Sequence, residues 1–163
     1  SYARWIHRFF KFDAPLTQGG TASGAMGGGG PGAIGAYLAS NDDRMIVAFT
    51  GDGGFMMSGQ ELSTAVREQI SIKIIVCDNN IHGSILKGQV DKYGLENAFG
   101  TIMESPDFAQ IARAYGAKAW TVKTTDEWRL SFEEALSQDG PALIHLIFDP
   151  RDIAPYGNEK DAV

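Results

Sequence analysis

The segment RMIVAFTGDGG, residues 44–54, decides the fold prediction, because an apolar run ends there in one acid flanked by glycines. A second run, IKIIVCDNN at residues 72–80, has the same form, with apolar residues followed by polar ones. Continuous apolar runs rich in Ile and Val are typical of parallel strands that are buried on both faces. The two runs therefore predict strands from Arg44 to Thr50 and from Ile72 to Asp78, each ending in a polar loop.

The rest of the chain alternates helical and strand patterns. Helices are predicted over residues 1–12, 31–40, about 55–69, 84–89, 107–116 and 126–138, and further strands over 118–123 and 142–148. Ser58 and Glu61 have capping-box spacing, Ser105-Pro106 precedes the fifth helix, and residues 91–104 are predicted to form an irregular surface excursion. This alternation indicates an α/β fold, a doubly wound, mostly parallel sheet with helices on both faces. We expect one domain over residues 1–150 and a polar tail over 151–163.

Composition limits the classes of function. With 163 residues, of which 44% are hydrophobic, the chain is long enough for one domain with a core. The formal charge of −6 and the scattered basic residues disfavour nucleic acids and anionic membrane surfaces as partners. No run approaches the ~20 apolar residues of a membrane span. The single cysteine, Cys77, lies inside an apolar run, which excludes an internal disulfide and favours a buried thiol in the cytoplasm.

The ends of the two decisive strands predict a cation site. A helix from about residue 55 to residue 69 descends roughly 22 Å, and the strand that follows climbs back roughly 23 Å. If the two strands are neighbours, Asp52 and Asn79 converge. Their oxygens, with a loop carbonyl, suit magnesium or calcium but carry too little charge to hold magnesium alone. A phosphate would supply the rest, because Gly53 and Gly54 leave main-chain N–H groups free to face it.

These residues resemble a known signature. Asn79 follows Asp52 of GDG by 27 positions, and AMGGGGPGAIGA at residues 25–36 is similar to a segment found upstream of GDG in thiamine-diphosphate-dependent enzymes. The resemblance covers roughly residues 20–90. It identifies the chain as similar to the C-terminal, diphosphate-binding domain of the acetolactate synthase-like, benzoylformate decarboxylase and pyruvate oxidase superfamily. The flanking segments YARWIHRFF and PDFAQIARAYGA resemble the acetolactate synthase branch.

The resemblance implies a role for each matching residue. Asp52, Asn79 and the main-chain carbonyl of Ile81 would bind Mg²⁺. The residues that would contact thiamine diphosphate are Gly24, Met26, Asp52, Gly53, Gly54, Asn79, Ile81 and Gly83. Met26 would be the wedge that bends the cofactor. The chain departs from the family pattern where Asp78 replaces the first asparagine of the usual pair, where Gly30 replaces a leucine, and where Gly28 and Gly32 replace larger residues.

The implied function is a decarboxylase or carboligase that acts on 2-oxo acids. No catalytic residue is expected in this chain, because the family's activating glutamate comes from a pyrimidine-binding domain of the same or a second subunit. The uncapped start at Ser1, without Met, leads us to expect part of a longer polypeptide that is inactive in isolation. A natural two-subunit enzyme is the alternative. An uncovered apolar face would favour self-association, and the complete protein is expected to be a homo-oligomer.

Other interpretations remain open. The domain could be a cofactor-binding or regulatory module without turnover. The run GGGGPG at residues 27–32 satisfies the dinucleotide pattern G-x-G-x-x-G, although that site requires a preceding strand and an acid about 20 residues later. Asp52 and Asn79 could be plain turn residues, and Met26 a core residue. His82 could face a substrate or solvent, and His145 is predicted to be structural.

Overall fold

The computed structural model describes residues 2–40 and 43–153. In these residues, four parallel strands form one sheet in the order β1-β2-β4-β3. The strands are β1 Ile46–Gly51, β2 Ile72–Asp78, β3 Lys118–Val122 and β4 Ala142–Ile147. The helices are α1 Tyr2–Phe9, α2 Gly29–Ala39, α3 Asp52–Ser58, α4 Leu62–Arg67, α5 Gly83–Tyr93, α6 Phe108–Ala114 and α7 Thr125–Leu136. The predicted α/β class is confirmed.

Helices cover both faces of the sheet. On one face, side chains of α2, α3, α4 and α6 pack on alternate residues of β2, and Phe55 contacts Phe108 edge to face at 5.4 Å. On the other face, α7 and Tyr2 of α1 pack against Ile75 and Ile144. All seven residues of β2 are buried, because this strand has a neighbour on each side and helices above and below. The continuous apolar pattern of its sequence has this physical origin.

One charged residue interrupts that pattern. Lys73 of β2 is fully buried, and its ammonium group donates to the main-chain oxygens of Gln138 and Gly140 at 2.7 and 2.8 Å and to the hydroxyl of Ser71 at 3.2 Å. Burial lowers the pKa of Lys73. Three oxygen acceptors replace the water that the ammonium loses, so a lysine is accommodated at this position. The contact also ties the turn after α7 to the start of β2.

The glycine run of residues 27–32 follows a loop, as predicted: residues 2–28 contain no strand, so that feature of a dinucleotide site is missing.

Two predicted helix starts are wrong. The predicted capping box at Ser58 is wrong: the helix already begins at Asp52, and the hydroxyl of Ser58 donates instead to the main-chain oxygen of Gly27. Asp107, not Ser105, caps α6, and its carboxylate accepts from the N–H of Gln110.

Two helix ends also differ from prediction. α5 extends to Tyr93, into the stretch predicted to be irregular, and a short 3₁₀ turn, Leu95–Asn97, follows it. The helix predicted to run to residue 69 ends as α4 at Arg67, because Gln69 has a left-handed backbone with φ of 53°. The N–H groups of Gln69 and Ile70 return to the carbonyls of the last turn, which is the hydrogen-bonding pattern of a Schellman motif.

The segment after β4 packs against the domain at its start. Ile153 is fully buried with Ile81 and Leu86, and the main-chain oxygen of Asp152 accepts from the indole of Trp5 at 3.3 Å. The predicted boundary at residue 150 remains a prediction, and residues 154–163 of the predicted polar tail lie outside the described residues. Within the described part of the chain, we find no helix with the length and apolar character required to span a bilayer.

The cap of α7 gives a test of the fold. The hydroxyl of Thr124 accepts from the N–H of Glu127, and the Glu127 carboxylate accepts from the N–H of Thr124, which forms a capping box. We predict that Thr124→Ala lowers the free energy of unfolding by about 1 kcal/mol. Urea denaturation followed by circular dichroism measures this change. Thr125→Ala, one residue along, is the control, and an equal loss in both variants would contradict the assignment of the cap.

Candidate functional site

Asp52 lies directly after β1, as the first residue of α3. Only 4% of its surface is exposed. Its Oδ1 accepts from the N–H of Gly53 at 2.8 Å, whereas its Oδ2 has no hydrogen-bond partner among the described residues. A buried carboxylate oxygen without a partner costs free energy, so its presence indicates a site that is completed by a bound group.

Asn79 lies at the equivalent position of the neighbouring strand, directly after β2. It is buried, and its Nδ2 also has no partner within the described residues. β1 and β2 pair in parallel, with Gly51 opposite Cys77, so the loops that carry Asp52 and Asn79 leave the sheet at the same edge. The structure thus brings the two residues together, as their spacing along the chain predicts. Their role as metal ligands remains a prediction.

The pKa of Asp52 reflects its burial and its neighbours. Burial raises the pKa to about 6 from an ordinary value of 3.8. The N–H groups of Gly53 and Asn79 oppose the increase, while the neighbouring carboxylate of Asp78 adds to it. Two buried acids therefore lie beside each other at this edge, a situation that a bound cation would relieve.

Ile81 lies in a short bridge with Ile102. The hydrogen bonds of this bridge are made by its neighbours: the N–H of His82 donates to the oxygen of Thr101, and the N–H of Met103 donates to the oxygen of Asn80, both at 2.8 Å. In this antiparallel pattern the N–H and carbonyl of Ile81 point away from the partner segment. The carbonyl of Ile81 is therefore free of the bridge, as a third metal ligand requires.

Asp78 differs from Asp52 because both of its carboxylate oxygens have partners. Its Oδ2 lies 2.7 Å from Nε2 of His145, and its Oδ1 accepts from the N–H of Asn80 and the hydroxyl of Ser105. Burial alone would raise the pKa of Asp78, but the hydrogen bonds from His145, Asn80 and Ser105 outweigh burial and hold it below its ordinary value. Sequence reasoning missed this pairing, since only the alignment of β4 beside β2 reveals it.

The glycine-rich loop packs against the same edge. A Cβ on Gly29 would lie 3.0 Å from the Cβ of Thr50, so a larger residue would displace the loop from β1. The hydroxyl of Ser58 donates to the main-chain oxygen of Gly27 at 2.5 Å, which attaches this loop to the end of α3. Gly24 has a φ of +69°, which favours glycine, and Met26 is half exposed.

Met26 and His82 meet above Gly53. A Cβ on Gly53 would lie 2.6 Å from Cε1 of His82 and 3.1 Å from Cε of Met26, so a larger residue would require both side chains to shift. Gly54 is similarly confined, because its Cβ would lie 2.8 Å from the hydroxyl oxygen of Thr50. His82, left open by the sequence, thus lies beside the candidate diphosphate donors.

Gly83, the remaining predicted contact, is the first residue of α5 and packs against Ile153. Gly24, Gly54 and Gly83 lie in three different segments: a loop before α2, the start of α3 and the start of α5. Their contact with a cofactor remains a prediction.

The donor set is poor in charge. The described residues contain no group of three or more His, Cys, Asp or Glu side chains arranged to hold a metal. A cation here would depend on one carboxylate, a carboxamide and a carbonyl, which is a set of hard oxygen donors. Such a set fits magnesium or calcium with further oxygens from an anionic ligand.

Comparison with known proteins assigns the family. Residues 1–146 match the family model described as "Thiamine pyrophosphate enzyme, C-terminal TPP binding domain". Over 154 residues the chain is 36% identical to the "Probable acetolactate synthase large subunit" of Methanocaldococcus jannaschii, covering 93% of this chain and 26% of that protein. Over 151 residues it is 35% identical to the acetolactate synthase isozyme 1 large subunit of Escherichia coli K12, covering 91% of this chain and 26% of that protein.

A solved structure has the same fold. The thiamine diphosphate-dependent 4-hydroxybenzoylformate decarboxylase of Rhodococcus jostii RHA1 superposes with a TM-score of 0.70 and is 32% identical in sequence. The superposition covers 78% of this chain and 24% of that one. The chain thus spans about a quarter of the length of the relatives that it matches. With its parallel sheet and the residues gathered at the edge of β1 and β2, the chain belongs to the family of C-terminal thiamine pyrophosphate-binding domains of thiamine pyrophosphate enzymes.

Proposed function

We propose that the complete protein is an acetolactate synthase-like enzyme that decarboxylates or carboligates 2-oxo acids. In this proposal the domain holds the diphosphate of its cofactor through Mg²⁺. One observation carries the proposal: Oδ2 of Asp52 and Nδ2 of Asn79 are buried at the ends of adjacent strands and have no hydrogen-bond partner in residues 2–40 and 43–153. The family match and the acetolactate synthase relatives support the choice of reaction.

Mg²⁺ and a diphosphate satisfy both atoms. A cation gives the unpaired oxygen of Asp52 a partner of opposite charge and relieves its repulsion with Asp78. The carboxamide of Asn79 has an oxygen for the cation and an N–H₂ group for a diphosphate oxygen. The carbonyl of Ile81 supplies the third protein ligand, and the diphosphate adds the charge that these ligands lack.

The remaining residues bind and orient the cofactor. The N–H groups of Gly53 and Gly54 donate to the diphosphate, that of Gly53 exchanging its bond to Oδ1 of Asp52 for one to the cofactor, and Gly83 lies at the start of the next helix, α5. Gly24 and Met26 contact the pyrimidine, with the half-exposed Met26 side chain as the wedge. When bound, thiamine diphosphate stabilises the carbanion that forms as carbon dioxide leaves a 2-oxo acid.

A second domain completes the site in this proposal. The activating glutamate comes from a pyrimidine-binding domain of the same or a second subunit, within a homo-oligomer. The exposed side chains of Met26, Met56, Met57 and Ile85 give that domain an apolar surface to cover. A cytoplasmic location accords with the single, buried Cys77, whose burial raises the pKa of its thiol to about 12.

Calorimetry on the complete protein, with whatever further domains its polypeptide carries, tests the proposal. Thiamine diphosphate should bind in the presence of Mg²⁺, and EDTA should abolish binding, because the proposed contact to the diphosphate passes through the cation. A pyruvate consumption assay then separates an enzyme from a binding module, which would bind without turnover. Binding of NAD that survives EDTA would instead indicate a dinucleotide site and refute the proposal.

Asp52→Asn should separate stability from function. Because the folded pKa of Asp52 is about 6, its ionisation at pH 7 destabilises the chain without ligands. The variant should therefore raise the free energy of unfolding of the 163-residue chain by about 1–3 kcal/mol at pH 7. This gain should shrink as the pH falls from 7 to 5, because the wild-type carboxylate becomes protonated. Urea denaturation at the two pH values measures the difference.

The same variant in the complete protein should lose Mg²⁺-dependent binding of thiamine diphosphate, since it lacks the charged ligand. Asp91→Asn, which removes an exposed ion pair with Lys87, is the matched control and should change neither property. Unchanged cofactor affinity in Asp52→Asn would rule out this metal site.

The apolar surface predicts the behaviour of the domain in isolation. The 163-residue chain should self-associate as its concentration rises, because Met26, Met56, Met57 and Ile85 each expose half or more of their surface. Sedimentation velocity over a hundredfold range of concentration measures this. A single monomeric species across the range would contradict the assignment of this surface to a partner domain.

A further inference from the structure

We propose that Asp78, held by His145, is a positioning residue that sets the shape of the metal-binding loop, residues 79–81. The inference rests on the proposed function and deepens it, because it concerns residues that would not themselves contact the metal or the cofactor. It also assigns a role to Asp78, at a position where the family that the chain resembles has an asparagine.

Asp78 has the contacts for this role. It is the last residue of β2 and only 2% exposed. Its Oδ1 reaches forward to the N–H of Asn80 at 3.0 Å, the hydrogen bond of an Asx turn. Asn80 in turn has a left-handed backbone, with φ of 57°. The turn bends the chain at Asn80, so the carboxylate of Asp78 fixes the direction in which Asn79 and Ile81 leave the strand.

Further hydrogen bonds join this turn to the segment 101–105. The hydroxyl of Ser105 donates to Oδ1 of Asp78 at 2.9 Å, and the N–H of Ser105 donates to Oδ1 of Asn80 at 2.9 Å. The Ile81–Ile102 bridge adds two main-chain bonds. Asp78 and Asn80 are therefore both hydrogen-bonded to Ser105, which restrains the loop between them.

His145 offsets the cost of burying the carboxylate of Asp78. It comes from β4, opposite Val76, and is 3% exposed. Its Nε2 contacts Asp78 at 2.7 Å, and its ring packs edge to face on Phe108 with centroids 5.0 Å apart. Its Nδ1 lies 3.8 Å from Oδ1 of Asp107, so a second acid faces the ring from α6. Both oxygens of Asp78 thus have partners, whereas Oδ2 of the neighbouring Asp52 has none among the described residues.

Groups that orient metal ligands affect metal affinity without binding the metal, and their loss typically costs 10- to 100-fold in affinity. Removal of the Asp78 side chain would free the turn at Asn80 and leave His145 buried without its partner. Replacement by asparagine would retain an oxygen for Asn80 and Ser105 in the same place. The two substitutions should therefore differ in metal affinity more than in fold.

The experiment measures the Mg²⁺ concentration that half-saturates binding of thiamine diphosphate to the complete protein, by calorimetry at saturating cofactor. Asp78→Ala should raise that concentration 10- to 100-fold, and Asp78→Asn should stay within about threefold of wild type. Thr124→Ala, which loses stability at a remote helix cap, is the control for a structural effect and should not change it. If Asp78→Ala does not fold, Ser105→Ala, which removes one hydrogen bond to the Asp78 carboxylate, should raise the concentration about tenfold, and no change in that variant would contradict the inference.

The outcomes are distinct. If Asp78→Ala melts at a lower temperature but binds Mg²⁺ as the wild type does, the residue is merely structural and the inference is wrong. Equal losses in Asp78→Ala and Asp78→Asn would also overturn it, because the hydrogen bonds to Asn80 and Ser105 would not be what positions the loop. A wild-type protein that does not bind thiamine diphosphate with Mg²⁺ would overturn the proposed function and this inference with it.

Discussion

Parallel hydrogen bonding between β1 and β2 is the constraint on which the site depends. The pairing of Gly51 with Cys77 brings the residues after each strand to one edge, although they are more than two dozen positions apart in the chain. Neither Asp52 nor Asn79 could form a site alone. Helices on both faces then bury these strand ends, so the polar groups there are removed from water and depend on partners that the fold or a ligand provides.

The two acids at this edge, Asp52 and Asp78, differ in how their carboxylates are hydrogen-bonded. Asp78 receives donors from β4, from its own turn and from Ser105, whereas Asp52 accepts from main-chain N–H groups and its Oδ2 has no hydrogen-bond partner among the described residues. The first arrangement stabilises the fold in the absence of any ligand. The second destabilises the fold at pH 7, because burial raises the pKa of Asp52 to about 6. Under the proposed function a cation bound to Asp52 would offset this cost, so cation binding and folding stability would be linked there.

The sequence predicted the sheet well, because its central strands are buried on both faces and their apolar runs have no other simple explanation. The β2 limits, Ile72–Asp78, were predicted to the residue. Helix ends were less predictable. The start of α3 at Asp52 depends on the loop that packs across it, and Gln69 ends α4 in a conformation that its residue type does not indicate. Polar pairs across strands, such as Asp78 with His145, were missed, since chain spacing does not reveal which residues of β4 face β2.

The burial of Lys73 makes its amine a probe of local opening. Its amine is enclosed by the oxygens of Gln138, Gly140 and Ser71, out of reach of bulk solvent. An acylating reagent such as acetic anhydride can modify it only when β2 separates from the turn that follows α7. Mass-spectrometric footprinting of this single side chain would therefore report separation of β2 from that turn, while surface lysines such as Lys118 react in the native state.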